Sequence, residues 1–86
     1  MKIKVEGEGL KPFQIEVKEF NLTEREDLNE DLYDFFNNKK GMFKPAVRII
    51  RLATVMTDEE INEYSNNQIY QMAIEISNVV NKSKKK

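Results

Sequence analysis

The chain has 86 residues, of which 40% are apolar, and its 14 Lys and Arg nearly balance its 15 Asp and Glu, as in one small domain. Because it contains no Cys and no His, the sequence excludes disulfides, metal sites made of thiolates or imidazoles, and nucleophiles activated by histidine. No apolar stretch approaches the ~20 residues of a membrane-spanning helix, so we expect an untargeted cytoplasmic protein with no membrane partner.

Two short stretches near the N-terminus alternate between apolar and polar residues. Apolar residues stand at positions 3 and 5, and again at 13, 15 and 17, which is the period of a half-buried strand. The intervening segment contains Gly7, Gly9 and Pro12, residues typical of a turn. We predict an antiparallel β-hairpin whose apolar face must be covered by helices.

A first helix is predicted to begin at a capping box formed by Thr23 and Glu26. Its apolar residues are predicted to share one face: Leu28, Leu32, Phe35 and Phe36. Its acidic residues are predicted to occupy the opposite, solvated face: Glu24, Asp27, Asp31 and Asp34. The helix is expected to stop at Asn37, Asn38 and Gly41.

Residues 46–56 are predicted to form the central helix of the core. Pro45 suits the first turn of a helix, and the residues that follow are apolar around most of the circumference, with Ile50 in the core. Since many of them are β-branched, a strand remains an alternative. Phe43, just before this segment, is expected to pack onto the hairpin.

Two further capping boxes begin at Thr57 and Ser65. They predict a short helix that ends near Tyr64 and a final helix from residue 66 to about 81. One face of the final helix is apolar, with Tyr70 and Ile74 beside it: Ile69, Met72, Ala73, Ile76, Val79 and Val80. The sequence thus predicts one α+β domain at residues 1–81, an N-terminal antiparallel β-hairpin packed on three to four α-helices, and a basic flexible tail at residues 82–86.

Paired carboxylates are the only chemistry-bearing clusters in the sequence. Asp27 and Asp31 are expected on a face without apolar residues that could desolvate them. The second cluster, Asp58, Glu59 and Glu60, opens a helix, where acids are favoured by the helix dipole. We therefore predict that the protein is not an enzyme and that it has no catalytic residue, cofactor or metal site.

Composition alone does not name the function, and binding of a partner protein is the first hypothesis. A domain this small is marginally stable, so we expect a protein partner, and self-association remains open. Tyrosine is enriched at interfaces because its ring is apolar and its hydroxyl is polar. The predicted partner-binding residues lie beside the main apolar faces: Tyr33, Tyr64, Tyr70 and Ile74.

Nucleic-acid binding is an alternative from a different class. It would use lysines of the hairpin and of the C-terminal tail: Lys2, Lys4, Lys18, Lys82, Lys84, Lys85 and Lys86. Against it, the hairpin also carries glutamates, no aromatic residue is interleaved for base stacking, and the net charge is −1. We therefore expect a protein rather than a nucleic acid as the partner.

Several motifs stand in a recognisable order: a short hairpin, residues 20–26 opening a helix, an apolar helix, residues 57–61, and Tyr64-Ser65-x-x-x-Ile69. In this order the chain resembles the small tail assembly chaperones of tailed bacteriophages. The resemblance implies a protein made in the infected cell that coats the hydrophobic tape-measure protein until tail-tube subunits replace it. A small structural or connector protein of a phage particle, and a nucleic-acid-associated accessory factor, remain the alternatives.

Overall fold

The computed structural model describes residues 1–38 and 40–83. In these residues a two-stranded sheet precedes four helices. The elements are β1 (Lys2–Val5), β2 (Phe13–Glu16), α1 (Leu22–Asn37), α2 (Phe43–Ala53), α3 (Asp58–Asn62) and α4 (Asn66–Ser83). The predicted α+β fold, with a hairpin in front of the helices, is confirmed. Residues 84–86 of the predicted tail lie outside the described residues. Residues 82 and 83, which were also assigned to the tail, belong to α4.

The hairpin is antiparallel, and its register places two apolar pairs on the same face: Ile3 with Ile15, and Val5 with Phe13. In the connecting loop the backbone N–H of Leu10 donates to the carbonyl of Gly7 at 3.1 Å. Gly9 has a φ of +79°, a conformation that glycine adopts without steric cost. β1 packs against α4, so the apolar face of the hairpin is covered as predicted.

The capping box of α1 begins at Asn21, two residues before the predicted position at Thr23. The Asn21 side chain accepts a hydrogen bond from the backbone N–H of Glu24 at 2.8 Å, and the Glu24 carboxylate accepts one from the N–H of Asn21 at 3.0 Å. Lys18 Nζ also lies 3.2 Å from the Glu24 carboxylate. The Thr23 prediction is wrong because asparagine caps more strongly than threonine and because Lys18 adds an ion pair to the competing box.

The contacts of Glu24 make the stability of the fold depend on pH. Hydrogen bonds from the Asn21 backbone and then from Lys18 lower the pKa of Glu24 below its ordinary value of 4.5. Such a group stabilises the fold fully above that value, and its contribution is lost as the pH falls through the lower folded-state pKa.

We expect Glu24→Gln to be less stable than the original protein at neutral pH, and the difference to shrink as the pH falls below 4.5. Urea unfolding at a series of pH values measures it. Glu26→Gln, an exposed position on the same helix, is the matched control. The same pH dependence for both variants would contradict the assignment.

The core lies where α2 packs between α1 and α4. The predicted central helix is confirmed, although it spans Phe43–Ala53 rather than residues 46–56. At its end the backbone turns to an extended conformation at Thr54, the Thr54 hydroxyl accepts a hydrogen bond from the N–H of Met56 at 3.2 Å, and the N–H of Lys18 donates to the Ala53 carbonyl at 2.9 Å. Val55, two residues after the end of α2, is 80% exposed.

α1 buries most of its predicted apolar face, namely Leu28, Leu32 and Phe35. Two of the predicted orientations are wrong: Phe36 is largely exposed and Asp31 is buried. At about 100° per residue, Asp31 lies about 60° to one side of the Leu28 direction and Phe36 about 80° to the other. α2 packs on the Asp31 side, so it covers the aspartate and leaves Phe36 at the surface.

α3 and α4 begin at the predicted capping boxes. The N–H of Thr57 donates to the Glu60 carboxylate at 2.8 Å, and the N–H of Ser65 donates to the Gln68 side chain at 2.8 Å. The predicted apolar face of α4 is buried except at Val79, which is half-buried. Within the described residues, no helix has both the length and the apolar character that crossing a membrane requires.

Candidate functional site

Four partly exposed aromatic side chains lie on α1, at the start of α2 and on α4. We call this set the aromatic patch, and it consists of Tyr33, Phe36, Phe43 and Tyr70. Tyr33 is 69% exposed, Phe36 53% and Phe43 40%, while Tyr70 is half-buried. Tyr33 and Phe36 are three residues apart on α1 and therefore lie on the same side of the helix.

Ring contacts hold this patch together. The rings of Phe43 and Tyr70 meet edge to face with centroids 6.2 Å apart. The buried ring of Phe35 lies 6.3 Å from Tyr70 and 5.0 Å from Phe36. Phe36, Phe43 and Tyr70 are each held by a ring contact, so these three side chains have little entropy left to lose when a partner covers them. Large exposed apolar surfaces of this kind mark interaction sites.

A groove with a volume of about 440 Å³ runs from Phe43 between α2, α3 and the start of α4. Its apolar lining consists of Phe43, Val47, Ile61, Tyr64 and Ile69. Ile61 and Ile69 are almost fully buried and form the floor. Since Phe43 belongs to both the groove and the aromatic patch, the two apolar surfaces are continuous.

The walls of the groove are tied to the rest of the fold by side-chain contacts. Arg51 of α2 makes a bidentate pair with Asp58 of α3, with Nε to Oδ1 at 2.8 Å and Nη2 to Oδ2 at 3.1 Å. The ring of Tyr64, after α3, stacks on Phe13 of the hairpin with centroids 5.3 Å apart. These contacts connect the sides of the groove to α2 and to the hairpin.

The structure brings three of the four predicted partner-binding residues to these surfaces. Tyr33 and Tyr70 belong to the aromatic patch, and Tyr64 lines the groove. Ile74 lies one turn beyond Tyr70 on α4 and is half-buried against the core.

Sequence reasoning missed the two phenylalanines of the patch. Phe36 was expected in the core and Phe43 against the hairpin, whereas Phe43 contacts Tyr70. One signal for Phe36 was available, because neighbouring residues on a helix differ in direction by about 100°. Phe35 and Phe36 therefore cannot both point to the centre of the core.

The lysines of the nucleic-acid alternative are interleaved with acids in the described part of the chain. Lys2 and Lys4 are exposed, and Lys4 Nζ lies 3.8 Å from the Glu6 carboxylate. Lys18 pairs with Glu24 at 3.2 Å. Lys84, Lys85 and Lys86 lie outside the described residues, and so does the side chain of Lys82.

The two carboxylates that were predicted to share a solvated face are in different environments. Asp27 is exposed, whereas Asp31 is buried and accepts a hydrogen bond from Arg48 Nε at 3.0 Å. Asp34 Oδ2 lies 3.7 Å from Arg48 Nη2. The prediction was wrong for Asp31 because α2 packs over it and places Arg48 beside it. The ion pair with Arg48 compensates the cost of burying the carboxylate.

In the second predicted cluster, Asp58 and Glu60 make contacts that stabilise α3, one wall of the groove. Asp58 pairs with Arg51, and Glu60 belongs to the capping box of α3. Glu59 is exposed at the rim of the groove. In residues 1–38 and 40–83, no group of three or more acidic side chains is arranged to hold a metal ion.

No protein-family model, curated protein or solved structure matches this chain significantly. The functional conclusion therefore rests on the aromatic patch and the groove. An amphipathic helix presents apolar side chains at spacings of three and four residues, and it is recognised by apolar grooves. A fixed aromatic surface that continues into such a groove has the shape and polarity for this kind of ligand.

Proposed function

We propose that the protein binds an amphipathic helix of another protein, without catalysis and without a cofactor. The observation that carries this proposal is the position of Phe43, which joins the exposed aromatic patch to the groove. The apolar surface therefore extends across α1, α2, α3 and α4. Aromatic residues dominate the binding energy of protein interfaces because they bury a large area with few rotatable bonds.

The dimensions of the groove support a helix as the ligand. Phe43 and Arg51 line it at opposite ends of the same face of α2. They are eight residues apart, which corresponds to about 12 Å at about 1.5 Å per residue. This length accommodates about two turns of a bound helix. The apolar floor would meet the apolar side of that helix.

The resemblance to tail assembly chaperones suggests the biological setting. In this proposal the protein works in the cytoplasm of a phage-infected cell, where it covers apolar helical segments of the tape-measure protein until tail-tube subunits take its place. A small interface is suited to such a role, because modest buried area with few strong contacts allows exchange of partners.

The test is to immobilise the full chain and identify by mass spectrometry what it retains from an extract of infected source cells, at low and at moderate salt. We expect one long helical tail protein to be retained at both salt concentrations and to be lost with Phe43→Ser or Tyr33→Ser. Val55→Ser, which removes another exposed apolar side chain, is the matched control and should retain the partner. Circular dichroism establishes that the variants are folded.

Two outcomes would favour the alternatives. A chaperone is absent from finished particles, so finding the protein in purified particles would identify a structural or connector protein. Retention of nucleic acid that falls steeply with salt would identify an accessory factor, because binding to phosphates releases counterions. Retention of the tail protein that is equal in Phe43→Ser, Tyr33→Ser and the control would place the binding surface elsewhere.

A further inference from the structure

We propose that the protein forms a weak dimer in which the β2 strands of two copies pair antiparallel, with Ile15 at the two-fold axis. The inference comes from the free edge of the hairpin and does not rest on the helix-binding surface proposed above. In this dimer the two hairpins form one continuous sheet in the order β1-β2-β2-β1.

The outer edge of β2 has unpaired backbone groups. The N–H of Val17 donates to the Met1 carbonyl at 2.7 Å, so the backbone of Val17 is directed toward β1. In an antiparallel pair, the backbone groups of successive residues point alternately toward the neighbouring strand and away from it. The N–H and C=O groups of Gln14 and Glu16 therefore point away from β1. Within the described residues, none of these groups has a hydrogen-bond partner.

This edge is open to solvent. α4 packs against β1, whereas no helix packs against β2 to the same extent. Both Gln14 and Glu16 are exposed, and backbone groups without a partner are rarely buried. A strand edge with free donors and acceptors is a template for pairing with another strand.

The two ends of the edge limit how far a partner strand can extend. The N–H of Lys18, the next group that points outward, already donates to the Ala53 carbonyl at 2.9 Å. At the other end Pro12 has no N–H to donate. Residues with both a free donor and a free acceptor are therefore confined to Gln14 and Glu16.

One antiparallel register of β2 with a second β2 uses both of these residues on both strands. It places Ile15 opposite Ile15 and Gln14 opposite Glu16 of the second copy, and each Gln14–Glu16 pair exchanges two hydrogen bonds. A shift by two residues in one direction places Glu16 opposite Glu16 and needs the occupied N–H of Lys18. A shift in the other direction places Glu16 opposite Pro12, which cannot donate.

The charges on the solvent face agree with the same register. Within the hairpin, Lys2 lies opposite Glu16 and Lys4 lies opposite Gln14. Each row of side chains across the dimer sheet therefore reads Lys2, Glu16, Gln14 and Lys4, so like charges never lie directly opposite each other. The same pairing between two β1 strands would place Lys2 opposite Lys4, and lysines on an edge oppose pairing.

Sedimentation equilibrium of the full chain over a series of concentrations measures the dimer. A strand pair is smaller than the ~1,200–2,000 Å² interface of a stable complex, so we expect a Kd on the order of 100 μM. Gln14→Glu places a carboxylate opposite Glu16 in both pairs, but opposite Lys4 within the hairpin. We expect it to raise the Kd roughly fivefold or more at low salt.

Two variants control for charge and for folding. Glu16→Gln, added to Gln14→Glu, exchanges the two side chains without changing the net charge and should return the Kd to within about twofold of the original. Asn67→Glu, at an exposed position of α4, makes the same change in net charge as Gln14→Glu and should leave the Kd unchanged. Circular dichroism establishes that the variants are folded.

Disulfide formation checks the register directly, because the chain has no cysteine of its own. Residues in a hydrogen-bonded pair have Cα atoms about 5.5 Å apart, a distance that a disulfide spans. A mixture of the Gln14→Cys and Glu16→Cys proteins should therefore form cross-linked dimers faster than either protein alone.

Three outcomes would overturn the inference and leave helix binding untouched. The first is a monomer at every concentration up to about 1 mM. The second is a Kd that is the same for the original protein and for Gln14→Glu. The third is growth beyond a dimer, which would assign the contact to β1 of one copy and β2 of another, because that pairing leaves a free edge at each end.

Discussion

Replacing Ile50 by alanine is expected to lower the free energy of unfolding by about 2–5 kcal/mol. Ile50 is fully buried in α2, the helix that packs against both α1 and α4. The shorter side chain loses apolar burial and leaves a cavity that helices on both sides cannot easily fill. Urea unfolding followed by circular dichroism measures the change.

This loss is large for so small a protein. At about 0.05–0.15 kcal/mol per residue, a chain of 86 residues has about 4–13 kcal/mol of stability. Val55→Ala is the control, because Val55 is β-branched and apolar but 80% exposed, and it should change stability by less than about 0.5 kcal/mol. Equal effects at the two positions would show that α2 is not the centre of the core.

Replacing Arg48 by alanine is expected to cost about 1–3 kcal/mol, because it removes the hydrogen bond to a carboxylate that is mostly shielded from water. The Asp31 side chain is only 12% exposed. The side chain of Arg48 is 47% exposed, so solvent reduces the loss below the about 3–5 kcal/mol of a fully buried pair. Urea unfolding at neutral pH measures it.

A double-mutant cycle measures the interaction energy between Asp31 and Arg48 separately from their other contacts. Asp31→Asn in the Arg48→Ala background removes the unpaired charge, so the two substitutions together should cost less than their sum, with a coupling of about 0.5–3 kcal/mol. Arg51→Ala is the matched control. Its pair with Asp58 is exposed on both sides and is expected to contribute less than about 1 kcal/mol. Additive effects of the Asp31 and Arg48 substitutions would contradict a stabilising contact.

The elements of the fold were predictable from the sequence where the signals were local. The alternation in residues 2–6 and 13–18 defines the hairpin, and the capping boxes at Thr57 and Ser65 start their helices as predicted. The box at Thr23 was displaced by Asn21 because Lys18, from the end of the hairpin, lies close to Glu24. A local pattern fails where a residue from another element takes part.

The candidate site was only partly predictable for the same reason. Tyr33 and Tyr70 stood out because they lie beside apolar stripes. The contacts of Tyr70 with Phe35 and Phe43 could not be known without the packing of α1, α2 and α4. The side on which α2 packs against α1 decides that Asp31 is buried and Phe36 exposed. Helical periodicity gives relative directions along one helix and contains no information about that choice.

The groove has one wall that is weaker than the rest. α3 is a single five-residue helix with one buried residue, Ile61; its other contacts are its capping box and the exposed pair of Asp58 with Arg51. Short elements with few buried contacts open locally at a free energy well below that of global unfolding. Under the proposed function, a bound helix would be freed by the opening of this wall while the core stayed folded. The lifetime of the complex would then be set by the local stability of α3 as well as by the area of contact.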